Sequence, residues 1–313
     1  MISSIFGKRK PVNFILIAVY LFLYGIISQY PVFTAGVSFS AIALHILMLI
    51  LLFFTVFGVD LLDRTYHLSA KNAYVMLLFT LMLTLFSKIF TDETIVLAHL
   101  FILLAFRRLL GLSHETNVKQ KLFDAALWIS VATLFYSWAV LYFLILYMAI
   151  LLYAPRNYKN WLIPPVAATA VLLLCYTYFL WFENAPDFLS VFQFNIRWPY
   201  VTYRPDNYFL PFAIVAVMSC IAAFAYGIRA VRKRTLTQAT GFLLIVALLV
   251  GISMVLFFGN GEKTTLIFML FPLSVLFANY LVRIRRKWIR ESLLWLLLLA
   301  PAALLILQFS AKR

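Results

Sequence analysis

Residues 166–181 read VAATAVLLLCYTYFLW, a stretch without a single charged side chain. Its apolar character is continuous, whereas a strand of a membrane β-barrel alternates between apolar and polar residues. Apolar runs of about 18 residues or more recur along the chain, and each is long enough to cross the ~30 Å hydrocarbon layer as a helix. The sequence therefore predicts an all-α protein, a polytopic bundle of transmembrane helices.

The composition of the whole chain agrees with this prediction. Of the 313 residues, 65% are hydrophobic and 12% are charged, and the mean hydropathy is +0.98. Soluble domains are about half apolar and about a quarter charged, and a chain of this length has too little interior to bury such an excess. Cys175 and Cys220 both fall inside predicted spans and outside any redox or zinc motif, so a disulfide framework is not expected. The sequence has no Walker A loop, dinucleotide fingerprint, GxSxG or HExxH motif, and no cofactor is expected.

The distribution of basic residues predicts the orientation. Eleven spans with a cytoplasmic N-terminus place 20 of the 26 basic residues in cytoplasmic segments, as the positive-inside rule requires. The net charge of +15 is thus explained by basic residues that orient the protein in the membrane, and nucleic acid is not an expected partner. The spans are predicted at approximately 13–31, 39–59, 72–90, 94–111, 122–136, 138–154, 161–181, 209–228, 240–258, 264–282 and 291–309.

Residues 122–154 are too long for one ordinary span and short for two. One long tilted helix would invert the orientation of every later span, whereas two short helices keep the charge bias. Tyr136, Ser137 and Trp138 suit an interfacial turn, because amphipathic Tyr and Trp side chains prefer that depth. Two short helices are therefore predicted within a single membrane domain that covers residues 1–313.

The longest extracytoplasmic loop is predicted at 182–208, and it concentrates arginine and aromatic residues. Arginine binds phosphate oxygens through two parallel hydrogen bonds, and aromatic faces suit sugar rings or polyprenyl chains. The alternative is an aromatic belt whose arginines reach lipid headgroups. The candidate substrate-binding residues are Arg197, Trp198, Tyr200, Tyr203, Arg204 and Asp206.

Asp92 and Glu93 are the candidate catalytic residues. A carboxylate pair at the membrane face could act as general base or hold a divalent cation. The alternative is helix capping, with Thr91 or Asp92 as N-cap and the acids opposing the helix dipole. The four histidines lack metal-ligand spacing, so no metal site is predicted; they are His45, His67, His99 and His114.

Two segments resemble the type-C (GT-C) glycosyltransferases. HLFILLAFRRLLGL (99–112) is similar to their span that ends in an Arg-Arg-hydrophobic-Gly cytoplasmic turn, and residues 122–162 are similar to the short paired helices that follow it. The resemblance implies sugar transfer from polyprenyl-phosphate donors outside the membrane. Those enzymes carry a catalytic acid in the first outer loop. Here that loop, residues 28–38, contains none, the large lumenal domain is missing, and only Asp92 and Glu93 match the acids of the second loop.

The whole chain resembles an uncharacterised multi-pass inner-membrane family of Bacteroidota more closely. The resemblance rests on SIFGKRKPVNF (4–14), RRLLGL (107–112) and KQKLFDAALWISVATLFY (119–136), and that family has no established activity. Location in the cell inner membrane is therefore expected.

Three functions remain open at this point. The first is a GT-C-like protein of envelope glycan assembly, with membrane lipids and a polyprenyl-phosphate-linked glycan as its partners. The second is a non-enzymatic scaffold or accessory subunit. The third, a solute carrier or lipid flippase, is disfavoured because no acid is predicted at mid-bilayer. Whether the chain is an enzyme is not decided by its sequence.

Overall fold

The computed structural model describes residues 2–28, 39–114, 116–182, 188, 192, 194, 209–230, 236–258 and 263–310. In these residues all regular secondary structure is helical, as predicted. The helices are α1 (Ile2–Phe6), α2 (Pro11–Ser28), α3 (Phe39–Tyr66), α4 (Tyr74–Thr84), α5 (Glu93–Leu110), α6 (Val118–Phe135), α7 (Tyr142–Tyr153), α8 (Lys159–Phe182), α9 (Phe209–Ala230), α10 (Leu236–Ser253), α11 (Ile267–Arg283) and α12 (Lys287–Ser310).

Seven helical segments in the described part of the chain are long and apolar enough to cross a membrane. The chain therefore has the architecture of an integral, multi-pass membrane protein. The seven are Pro11–Ser28, Ile42–Tyr66, Glu93–Ser113, Lys159–Phe182, Ala239–Phe257, Thr264–Arg283 and Lys287–Ile306. Shorter apolar helices occupy Tyr74–Thr84, Ser137–Tyr153 and Pro211–Gly227. Each of the eleven predicted spans overlaps a helix, while the number of membrane crossings stays a prediction.

Residues 122–154 form two helices rather than one. Helix α6 ends at Phe135, and Tyr136 has an extended backbone with φ −142° and ψ 105°. A 3-10 turn over Ser137–Leu141 then leads into α7. The amide of Tyr136 still donates to the carbonyl of Ala132 at 3.0 Å, which completes the last turn of α6. The prediction of two short helices meeting near Tyr136 is confirmed.

The chain forms two compact units, and each is assembled from separated segments. The first unit comprises Met1–Glu93, Tyr200–Lys233 and Leu270–Arg313. The second unit comprises Thr94–Pro199 and Arg234–Met269.

Helix α4 forms the centre of the first unit. All of its eleven residues are buried, and the helix contacts α2, α3 and α12. Its sequence, YVMLLFTLMLT, is apolar on almost every face, and a helix of that kind lies either in a protein core or within a membrane. The two threonines satisfy their hydroxyls locally, because Thr80 donates to the Met76 carbonyl at 2.9 Å and Thr84 to the Leu81 carbonyl at 2.9 Å.

The second unit is built around the contact between α6 and α8. The fully buried residues of α6 include three alanines, Ala125, Ala126 and Ala132. Small side chains allow two helix backbones to approach closely. In lipid, where the hydrophobic effect does not drive helices together, such close van der Waals packing stabilises their association. Helix α7 also packs against α8 and α10.

Candidate functional site

The second unit contains an apolar cavity of about 520 Å³. Its walls come from α6, from the segment 140–143 and from α8, with Thr133, Phe143 and Leu172 among the lining residues. The volume lies within the range of about 300–1,000 Å³ that is typical of pockets for small molecules and cofactors. The cavity is therefore large enough to hold a ligand.

The aliphatic hydroxyls in the cavity wall all donate to the backbone of their own helices. Ser130 Oγ donates to the carbonyl of Ala126 at 2.8 Å, and Thr133 Oγ1 to that of Ile129 at 2.9 Å. Thr169 Oγ1 likewise donates to the carbonyl of Pro165. Because these three donors are already used and most of the other lining side chains are hydrocarbon, the lining suits an aliphatic occupant.

Aromatic side chains after α8 form one side of the cavity. The Phe188 ring contacts Tyr176 at a centroid distance of 5.4 Å and Phe192 at 5.5 Å, in both cases edge to face. Phe194 makes the same kind of contact with Trp138 at 5.2 Å. These three phenylalanines were not among the predicted site residues. Their close spacing before the Arg-Trp-Pro-Tyr segment is the signal that could have indicated them.

The six candidate substrate-binding residues of the loop lie outside the described residues. They are Arg197, Trp198, Tyr200, Tyr203, Arg204 and Asp206. Their predicted role therefore stays a prediction.

Asp92 and Glu93 are described, and they lie where α5 begins. Asp92 is half-buried and non-helical, with φ −114° and ψ 87°, while Glu93 is the exposed first residue of the helix. The hydroxyl of Thr91 donates backwards to the Lys88 carbonyl at 2.8 Å. Asp92 thus occupies the N-cap position, where a carboxylate favours the helix start. A catalytic role for either acid stays a prediction.

A buried ion pair in the first unit was not foreseen from the sequence. The guanidinium of Arg9 donates to Asp63 Oδ2, and its Nε donates to the carbonyl of Asn72 at 3.0 Å. Asp63, whose side chain is 1% exposed, also accepts from the amide of Ser69 at 2.8 Å and from its hydroxyl at 2.9 Å. Every oxygen of this buried carboxylate is therefore hydrogen-bonded, as a buried charge requires.

Further hydrogen bonds attach the N-terminal arm, residues 2–10, to the first unit. Ser3 donates to Glu291 Oε1 through its amide at 3.2 Å and its hydroxyl at 2.6 Å. Tyr74 donates to the Ser3 carbonyl at 3.0 Å, and the Ala73 amide donates to the Phe6 carbonyl at 3.0 Å. The arm thus joins the start of α12 to the connection between α3 and α4.

The end of α3 is shaped by a left-handed residue. His67 has φ 49°, and the Leu68 amide donates to the Asp63 carbonyl at 3.3 Å. This is the six-to-one bond of a Schellman ending. The ending turns the chain so that Ser69 meets the Asp63 side chain.

The segments that resemble GT-C enzymes have a structural role here. Arg108 Nε lies 3.1 Å from Asp124 Oδ2, which links α5 to α6. Lys121 Nζ donates to the Gly111 carbonyl at 2.7 Å and to Thr116 Oγ1 at 3.2 Å. A cation at this position satisfies a terminal carbonyl and opposes the helix dipole. The RRLLGL and KQKLFD residues therefore fix the turn between two helices.

The seven long apolar helices among the described residues define the class as a multi-pass membrane protein. The model of a family of unknown function, DUF6427, matches residues 4–312, and the chain belongs to that family. Neither the search of curated proteins nor the search of solved structures gives a match.

Proposed function

We propose that this protein is an inner-membrane protein of envelope glycan assembly that holds the polyprenyl chain of a phosphate-linked sugar in the cavity of its second unit. The observation that carries the proposal is the cavity itself, about 520 Å³ in volume, with its hydroxyl donors turned onto their own helices. An isoprenoid chain has no hydrogen-bonding group, so its entry leaves no polar atom of these side chains unpaired.

The sequence next to the cavity supports a phosphate-bearing lipid over a plain hydrocarbon. Arg197 and Arg204 follow the wall residue Phe194 within ten positions, and arginine is the side chain best suited to bidentate binding of phosphate. In the proposed topology of eleven spans with a cytoplasmic N-terminus, this loop faces the outer side. Trp198, Tyr200, Tyr203 and Asp206 would then contact the sugar.

An accessory, non-enzymatic role is the second candidate, and one observation favours it over transfer chemistry. Among the described residues that line the cavity there is no carboxylate, and Asp92 already serves at the start of α5. In the transferase version, Asp92 or Glu93 acts as general base. Full rescue of surface glycans in a deletion strain by Asp92→Asn with Glu93→Gln would select the accessory role; loss of rescue would select transfer.

The binding proposal is tested by filling the cavity. Ala168 lines the cavity, whereas Ala170 does not, and both are half-buried residues of α8. We expect Ala168→Phe to weaken binding of a long-chain polyprenyl phosphate by roughly ten- to a hundredfold, because overfilling an apolar site costs about 1–3 kcal/mol. Ala170→Phe should bind like the wild type. Dissociation constants are measured on the full-length protein in detergent by native mass spectrometry.

Two results would contradict the proposal. One is the absence of polyprenyl phosphate binding by the wild type. The other is equal binding by both phenylalanine variants.

A further inference from the structure

Hydrogen bonds bring three basic segments of the first unit together. The N-terminal arm contacts the α3–α4 connection through Arg9 and Asn72, and it contacts the start of α12 through Ser3 and Glu291. These segments carry six exposed basic residues whose side chains reach solvent. They are Lys8, Lys10, Lys71, Arg285, Arg286 and Lys287, and together they are called the basic face.

The acids of the same region do not neutralise the basic face. Asp63 pairs with Arg9, and Asp60 pairs with Arg64 at 2.7 Å. Glu291 accepts from Ser3 through Oε1. In the described part of the chain none of the six basic residues forms an ion pair with an acid. The exposed charge of this region is therefore positive.

The basic face lies where membrane-crossing helices end. Four candidate spans begin or end there, at Pro11, Tyr66, Arg283 and Lys287. Such positions lie at the level of the lipid headgroups, where a positively charged protein surface meets phosphate.

Apolar side chains accompany the charges. Trp288, which is 65% exposed, directly follows Lys287, and Ile5, which is 43% exposed, lies on α1. Tryptophan prefers the boundary between headgroups and acyl chains. A phospholipid carries a phosphate next to its acyl chains. The basic side chains can bind the phosphate, and the exposed tryptophan and isoleucine can contact the acyl chains.

We propose that the basic face binds anionic phospholipids, with Arg285, Arg286 and Lys287 as the main ligands of the headgroup phosphate. The guanidinium groups supply paired donors for phosphate oxygens, while Lys8 and Lys10 add charge from the arm. The site is separate from the cavity: it lies in the other unit and recognises a headgroup rather than an aliphatic chain.

The test replaces the three main ligands together. A control variant loses the same number of positive charges in the second unit. The variant is Arg285→Gln with Arg286→Gln and Lys287→Gln. The control is Lys119→Gln with Arg156→Gln and Lys159→Gln, three exposed basic residues of the second unit. Full-length proteins in a neutral detergent are titrated with dioleoyl phosphatidylglycerol or dioleoyl phosphatidylcholine and followed by native mass spectrometry. Thermal unfolding of each variant shows that it is folded.

The wild type is expected to prefer phosphatidylglycerol over phosphatidylcholine. The first variant should lose roughly tenfold or more in affinity for phosphatidylglycerol. The control should stay within about threefold of the wild type, since its charges belong to none of the three segments that form the basic face. Equal affinity of the wild type for the two lipids would overturn the proposal. So would an equal loss in both variants, which would mean that net charge alone governs binding.

Discussion

At the scale of single residues, Asp63 is the most constrained polar group that we describe. Its carboxylate is buried, and it is bonded to Arg9 and twice to Ser69. Asp60, one turn earlier, is buried as well, but its partner Arg64 is 46% exposed. Removal of either acid leaves an unpaired arginine, and the two arginines differ in their exposure to solvent. Without Asp63, a guanidinium that is only 20% exposed loses its partner; without Asp60, the partner can be hydrated.

We expect Asp63→Ala to lower the free energy of unfolding by about 3 kcal/mol or more, because removal of one partner strands a buried charge. Asp60→Ala should cost about 1 kcal/mol or less, since the partly exposed Arg64 is hydrated once its partner is lost. The measurement is thermal or chemical unfolding of the full-length protein in detergent. The double variant Arg9→Met with Asp63→Leu should recover part of the loss. Equal losses in the two single variants would refute this account of Asp63.

At the scale of elements, one glycine decides how closely α10 approaches the start of α11. A Cβ atom on Gly251 would lie 2.7 Å from the Cβ and 2.8 Å from the Cα of Met269. The second atom belongs to the backbone, so a rotamer change cannot relieve the contact. Gly227 of α9 is the opposite case, because no described residue lies within 4 Å of a Cβ placed there. Glycine is thus required by close packing at Gly251, whereas the described neighbours of Gly227 leave room for a side chain.

Gly251→Ala should destabilise the protein by about 1–3 kcal/mol, because the added methyl group forces two helices apart. Gly227→Ala should stabilise it by about 0.5–1 kcal/mol, since alanine is the better helix former and has open space. Unfolding midpoints of the two variants in the same detergent give the comparison. A neutral Gly251→Ala would show that α10 and α11 do not need this close contact.

At the scale of the whole molecule, the number of membrane crossings depends on short helices. Helix α4 has 11 residues and α7 has 12. At about 1.5 Å per residue they extend only ~16–18 Å, well under the ~30 Å hydrocarbon core. Each is preceded or followed by a 3-10 turn, Ser137–Leu141 before α7 and Ser87–Thr91 after α4. Those turns lengthen the helical segments that are available to cross the membrane. The number of eleven crossings itself is predicted from the charge bias.

Eleven crossings with a cytoplasmic N-terminus require the C-terminus to lie outside. A C-terminal alkaline phosphatase fusion should therefore be active and a C-terminal green fluorescent protein fusion dark. Single cysteines in a variant lacking Cys175 and Cys220 provide a second readout: Lys119→Cys should be labelled only from the cytoplasmic side and Tyr203→Cys only from the outer side. With the N-terminus in the cytoplasm, an inward C-terminus would mean an even number of crossings, which contradicts the predicted eleven.

The sequence by itself determined the class of fold, because hydropathy and helix length depend only on local residues. Stretches such as 166–181 specify membrane helices, and Tyr136 with its aromatic and polar neighbours indicated the break in 122–154. Helix capping by Asp92 was one of two interpretations of the Asp92–Glu93 pair; the other was a catalytic or cation-binding role. These features arise within a few turns of chain, where backbone hydrogen bonding and side-chain polarity act.

Only the tertiary structure decided which distant residues meet. Arg9 and Asp63 are 54 positions apart, and nothing in either segment selects the other among the 26 basic residues of the chain. The cavity between α6 and α8 and the contact of Gly251 with Met269 likewise depend on how helices pack. Many partners satisfy the same apolar helix face, so its pattern leaves the choice open. Side-chain volume and the pairing of buried charge make that choice once the helices are in contact.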